Sequence, residues 1–125
     1  MQRIDAHQHF WKFDPVRDNW INSDMSVIAR DFLPEDLLPV LQRNNIDGTV
    51  VVQTCHMDED NRFMLELADK HSFIKGVVGW VNLQSIKVED KLKYYHERFP
   101  KMKGFRHVLQ ADPDDQLMLR DSFKN

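Results

Sequence analysis

The sequence predicts an α/β fold of about four βα units arranged around a parallel sheet. Two observations carry this prediction. Apolar or β-branched runs begin at Gly48, Ile74 and Met102, a spacing of roughly 27 residues and about one βα unit. Stretches with helical periodicity separate them, so the strands should be parallel and joined by right-handed crossovers. Four such units are half of an eight-unit barrel, which typically takes about 250 residues. An open four-stranded sheet is the alternative. That version places its ligand crevice at a reversal of strand order, and no Gly-rich phosphate loop is visible to support it.

The opening strand is Arg3-Ile4-Asp5-Ala6-His7, followed by a long loop from Phe10 to Arg30. Long loops after strands are where barrel enzymes keep their specificity. A first helix is expected from Pro34 to Asn44, with Leu37, Leu38 and Leu41 on one face, Pro34 in the first turn and Asp31 as the N-cap. Pro39 is awkward within it and calls for a later start or a kink. Gly48-Thr49-Val50-Val51-Val52-Gln53 reads as a buried strand. Asp58 to Lys70 opens with acids, closes with a base and carries Phe63, Met64, Leu67 and Ala68 on one stripe, as a helix should. Ile74 to Val81 is the next strand. Val88 to Phe99 is a helix that stops before Pro100, and Met102 to Val108 is the last strand. Pro113 to Phe123 is expected to begin a fourth helix.

Composition narrows the function classes. A content of 42% hydrophobic and 30% charged residues is that of a globular chain, not a disordered one. The net charge of −3 mixes both signs and offers nothing to nucleic acid. No apolar run approaches the roughly 20 residues that span a bilayer. The N-terminus lacks a secretory pattern, and the single cysteine, Cys55, cannot form an internal disulfide. The expectation is a cytoplasmic protein.

Candidate chemistry gathers at the strand ends. Alternation along a strand puts Asp5, His7 and His9 on one face, where two imidazoles can converge on one metal ion and the acid can brace them. Two histidines at a strand end facing solvent are the plainer reading. Gln53 offers an amide to a hydroxyl-rich ligand, against a role capping a loop. Trp80 and Asn82 share a face, and an indole stacks on a sugar ring while an amide reads its hydroxyls; a core tryptophan is the ordinary alternative. Arg106 and His107 end the fourth strand, the first suited to a developing oxyanion and the second to proton transfer. Only one of these neighbours can face the interior of a regular strand, and His107 is preferred for direct contact. A Cys55–His56 nucleophilic pair is a minor reading. His71 and His96 sit within or after helices and should be solvated. Trp11, Phe13 and Trp20 can wall the pocket or pack the long loop.

The run Ile4-Asp5-Ala6-His7-Gln8-His9-Phe10-Trp11 resembles the Asp-x-His-x-His signature on the first strand of the amidohydrolase superfamily. The longer string is similar to its sugar-lactone-hydrolysing branch, of the L-fuconolactonase and L-rhamnonolactonase type. Val50-Val51-Val52-Gln53 is similar to that branch's second strand, Gly79-Trp80-Val81-Asn82-Leu83 to its third and Lys103-Gly104-Phe105-Arg106-His107 to its fourth. The resemblance runs through about Gln110.

It implies the N-terminal half of a TIM-like (β/α)8 barrel, with residues 1–125 a single partial domain truncated at its C-terminal side. It implies a hydrolase that opens a sugar lactone by water attack on the ester carbonyl, with the fragment itself inactive. His7 and His9 are then the metal ligands, His107 and Arg106 the catalytic pair, and Gln53, Trp80, Asn82 and Trp11 the substrate-binding residues. One divalent metal is implied, zinc first, although part of the branch works without a metal and the histidines would then touch substrate. In the family a later histidine and a last-strand aspartate complete the site, and neither lies within this chain. A decarboxylase or hydratase acting on a small carboxylic acid is the runner-up. A non-catalytic half-barrel module that self-associates through its uncovered sheet edges is the alternative from a different class.

Overall fold

The computed structural model describes residues 1–110 and 112–124. Four strands, β1 (Ile4–Gln8), β2 (Gly48–Val52), β3 (Ile74–Gly79) and β4 (Met102–Phe105), form one parallel sheet in the order β1-β2-β3-β4. Three helices connect them: α1 (Pro34–Arg43), α2 (Asp58–Lys70) and α3 (Val88–Arg98). Sequential strands are spatial neighbours throughout, so strand order never reverses. An open sheet with a reversal crevice is thereby excluded. No helix among the described residues is long and apolar enough to cross a membrane.

The core lies between the sheet and its helices. Val51 and Val77 from the strands pack with Met64, Leu65 and Ala68 of α2, and Tyr95, Met102, Val81 and Phe10 close the cluster. The valines and isoleucine suit the strands because branching at Cβ packs well on a pleated surface. Asp58, Glu59 and Asp60 open α2 and Lys70 closes it, matching charge to the helix dipole.

Local chemistry departs from the expected elements at four places. Asp31 does not cap α1; its carboxylate accepts the backbone N–H of Phe13 in the long loop. Leu33 is the N-cap instead, and Asp36 reaches back to accept its N–H at 2.9 Å. The helix still starts at Pro34 and runs through Pro39. The strands also stop early. β3 ends at Gly79 and β4 at Phe105, which leaves Trp80, Asn82, Arg106 and His107 in the loops just beyond.

A register slip between Asp5 and Gln8 breaks the alternation of β1: Asp5 pairs with Thr49, and Gln8 with Val51. Finally, the segment expected as a fourth helix forms two short 3₁₀ turns, Leu117–Leu119 and Asp121–Phe123. The Asp112 and Asp114 carboxylates accept the N–H groups of Asp114 and Gln116, bonds that compete with a helical ladder. Leu117 is the one buried apolar residue of those turns, too little packing to sustain a short helix.

One buried amide joins helix and sheet. Asn61 on α2 is fully buried; its Oδ1 accepts the Trp80 N–H at 2.8 Å, and its Nδ2 donates to the Trp80 carbonyl at 2.6 Å. The same Nδ2 lies 3.1 Å from the Tyr95 hydroxyl, which in turn reaches Asp58. Gly79 makes room for this clamp, since a Cβ there would fall 2.4 Å from Asn61 Oδ1.

Asn61→Ala is expected to cost about 1–3 kcal/mol in urea unfolding, the penalty for stranding buried polar groups. Gly79→Ala should be strongly destabilising alone and much less so in the Asn61→Ala background, because the clash is with the Asn61 side chain. Additive effects of the two substitutions would contradict the clamp.

Candidate active site

The C-terminal ends of the four strands bring most of the expected residues to one end of the sheet. His9 lies one residue past β1, half-buried, and its Nδ1 is 2.8 Å from the Val52 carbonyl at the end of β2. A carbonyl only accepts, so Nδ1 carries the hydrogen and Nε2 keeps its lone pair. His7 is exposed, with its ring centroid 5.1 Å from that of His9. Asp5 serves the backbone, accepting the His7 N–H at 3.1 Å; no imidazole is braced by it.

Gln53 is buried to 0% exposure, and neither polar atom of its amide has a hydrogen-bond partner among the described residues. Its backbone carbonyl accepts from an Arg106 terminal nitrogen at 2.9 Å, tying β2 to the loop after β4. The Arg106 Nε is likewise buried without a partner among the described residues. Unpaired buried donors and acceptors are costly and are the groups an incoming polar ligand can satisfy.

A second cluster adjoins the first. The Trp80 indole N–H donates to His107 Nδ1 at 3.2 Å, and His107 Nε2 stands 3.7 Å from the Asp112 carboxylate. His56 stacks on Trp80 with centroids 5.6 Å apart and planes 10° apart, and its ring centroid is 4.2 Å from that of His107. Its Nε2 accepts the Val108 N–H at 3.1 Å. Arg106 and His107 are both half-buried, and each belongs to a different one of the two clusters. The expectation that only one of them faces the interior holds for a regular strand, and β4 has already ended at Phe105.

Three residues sit apart from these clusters. Asn82 is exposed and shapes its own loop, its Oδ1 accepting the Gln84 N–H and its carbonyl the Ser85 N–H. Trp11 pairs its backbone with Phe32 and packs ring on ring with it at 4.5 Å. It also lines a small cavity of about 220 Å³ with Arg17, Cys55, Asp60 and Phe63. Cys55 does not pair with His56. Burial, and then the nearby Asp60 carboxylate, push its thiol up to about 11, so it is protonated and unreactive at neutral pH. Asp60 instead ties down the β2–α2 loop, accepting the Thr54 and Cys55 N–H groups. A larger groove of about 1090 Å³ between α2 and α3 lies on the helix side of the sheet and holds none of these strand-end groups.

Asn61, Asp60 and His56 were not anticipated as organisers. Asn61 carried a signal: a poor helix former on the buried stripe with Met64, Leu65 and Ala68. His56 carried none, since its stacking partners lie far along the chain.

The metal reading meets a limit in the donor set. Among the described residues no group of three or more His, Cys, Asp or Glu side chains is placed to hold an ion. His7 and His9 are two imidazoles where a catalytic zinc site takes three protein ligands. The free Nε2 of His9, with Nδ1 anchored on a backbone carbonyl, has the orientation usual for a ligating histidine. The pair therefore fits part of a metal site and would need further ligands.

Burial lowers the pKa of His9, and Arg106 and His7 add to the effect against the Val52 carbonyl and Asp60. Burial likewise lowers that of His56, helped by His107 and Arg106 and opposed by Asp112. A histidine held neutral in the fold stabilises it above the ordinary histidine pKa of about 6.5. That stability is lost as pH falls through 6.5 toward the folded value, because the unfolded chain takes up the protons first. The urea midpoint should therefore fall between pH 7 and pH 5, and less so in His9→Asn. A midpoint constant across that window would contradict the lowered values.

Comparison with known proteins agrees with this architecture. The amidohydrolase family profile matches residues 4–122. An L-fucono-1,5-lactonase of Burkholderia ambifaria is 42% identical over 113 residues, covering 90% of this chain and 39% of the relative. A second L-fucono-1,5-lactonase, from Burkholderia multivorans, is 35% identical over 96% of this chain and 40% of its own length. The chain thus spans about two fifths of the curated relatives it matches. A crystal structure of a Burkholderia multivorans amidohydrolase with bound zinc superposes with a TM-score of 0.91 at 34% identity, over 98% of this chain and 43% of that one. The fold is that of half a (β/α)8 barrel, and the chain belongs to the amidohydrolase family.

Proposed function

We propose that residues 1–125 are the first part of a barrel that hydrolyses a sugar lactone of the L-fucono-1,5-lactone kind. The observation that carries this reading is the 42% identity to an L-fucono-1,5-lactonase over 90% of the chain. Water adds to the lactone carbonyl, the carbonyl oxygen becomes an oxyanion, and the ring C–O bond then breaks to give the open hydroxy acid. The Arg106 guanidinium, half-buried and anchored on the Gln53 carbonyl, is a preorganised cation for that oxyanion. The unpaired Gln53 amide is a candidate partner for sugar hydroxyls once the pocket is complete. His7 and His9 would hold a divalent ion together with ligands from outside this region. Such an ion, when bound, polarises the carbonyl or lowers the pKa of water.

The 125-residue chain alone should show little or no turnover, since the active sites of such barrels draw on several strand ends around the ring. A chimera joining residues 1–110 to the remaining barrel of the Burkholderia ambifaria relative should release acid from L-fucono-1,5-lactone. Arg106→Met in that chimera should lower kcat by about 10²–10³-fold, the usual loss for one oxyanion donor. A folded chimera that opens no lactone in a panel of five- and six-membered rings would overturn the reading. Release of carbon dioxide from a carboxylic acid would replace it with a decarboxylase.

A further inference from the structure

Hydrogen-bond donors that cannot act as acceptors determine where the protons of the strand-end imidazoles sit. An indole N–H only donates, so His107 Nδ1, 3.2 Å from Trp80 Nε1, must be the bare nitrogen. The neutral His107 ring then carries its hydrogen on Nε2. The Asp112 carboxylate attracts that N–H from 3.7 Å but stands too far away to receive a hydrogen bond from it. By the same reasoning the backbone N–H of Val108 makes His56 Nε2 an acceptor and leaves the hydrogen on His56 Nδ1.

We propose that Trp80 and His56 are positioning residues that hold His107 as an Nε2–H hydrogen-bond donor at the mouth of the site. His56 acts from the β2–α2 loop in two ways. It lies flat on the Trp80 indole, 10° from parallel, and it grips the backbone one residue beyond His107. Trp80 is itself oriented by the Asn61 clamp on its own peptide groups. The two residues therefore connect α2, the end of β3 and the loop after β4 to one nitrogen atom. In this arrangement His107 cannot take a proton from water: Nε2 already carries hydrogen, and Nδ1 is covered by the indole. It can donate to an oxygen of the bound ligand, such as a carbonyl gaining negative charge. Only the identity of that oxygen rests on the lactonase reading; the proton placement does not.

Long-range ¹H–¹⁵N spectroscopy of the histidine- and tryptophan-labelled 125-residue chain at neutral pH reads each ring nitrogen directly. His107 should show a bare Nδ1 and a protonated Nε2, His56 the reverse, and the Trp80 indole proton should exchange slowly. In His56→Phe, which keeps a ring in the stack and removes the acceptor, exchange of both the Val108 amide and the Trp80 indole proton should rise. The increase should be up to about tenfold, the worth of one net hydrogen bond. A protonated His107 Nδ1 in the unsubstituted chain would overturn the proposal. So would a His56→Phe variant in which the Val108 amide exchanges faster and the Trp80 indole does not. No turnover is read, so failure of the lactone assay and failure here are separate results.

Discussion

Two hydrogen bonds from a single buried amide hold the working end of this sheet to the helices behind it. Asn61 donates to and accepts from the Trp80 peptide groups where β3 has just ended, in a place from which water is excluded. Backbone groups at a strand end have lost their ladder partners, and a buried one left unpaired is expensive. The side chain of α2 therefore substitutes for a missing strand neighbour. It also aligns the Trp80 indole, which sets the ring of His107, while the adjacent Arg106 reaches across to the Gln53 carbonyl. Residues from the ends of β2, β3 and β4 are thus linked in one run that starts from an asparagine outside the site.

Beside that run stand three titratable groups that burial keeps neutral. Burial lowers the pKa of His9 and His56 and raises that of the Cys55 thiol, so these two imidazoles stay uncharged and the thiol stays protonated near neutral pH. Arg106 is a permanent cation, held by the Gln53 carbonyl and by no carboxylate among the described residues. An anionic or developing-anionic oxygen is the ligand such a setting accommodates. The groove between α2 and α3 is lined by none of these groups.

Much of the architecture was legible in the residues. The bounds of α2 fall where its acids and terminal lysine place them, and the spacing of Gly48, Ile74 and Met102 opens the three later strands. Periodicity could not show where strand pairing stops. Strands read through Val81 and Val108 end two or three residues earlier, because a parallel ladder lasts only while a neighbour stays in register. The slip between Asp5 and Gln8 is of the same kind, and it moved Asp5 from the histidines to a backbone N–H. The absence of the expected fourth helix has a local cause: the carboxylates of Asp112 and Asp114 build turns there.

The sequence by itself determined the βα rhythm, the family and the positions along the chain at which the chemistry would cluster. Those follow from hydrophobic period, terminal charge and a contiguous motif, all short-range properties. Only the tertiary structure decided which partners those residues take. His56 with Trp80 and His107, Asn61 with the Trp80 peptide, and Arg106 with Gln53 are separated by 24 and 51, 19, and 53 residues along the chain. Directional hydrogen bonds over such separations depend on where the sheet and helices deliver each atom, to within a few tenths of an ångström. No local pattern encodes that placement. The Asp-x-His-x-His motif identified the strand; the proton on the His9, His56 and His107 rings depends on the groups folded against them.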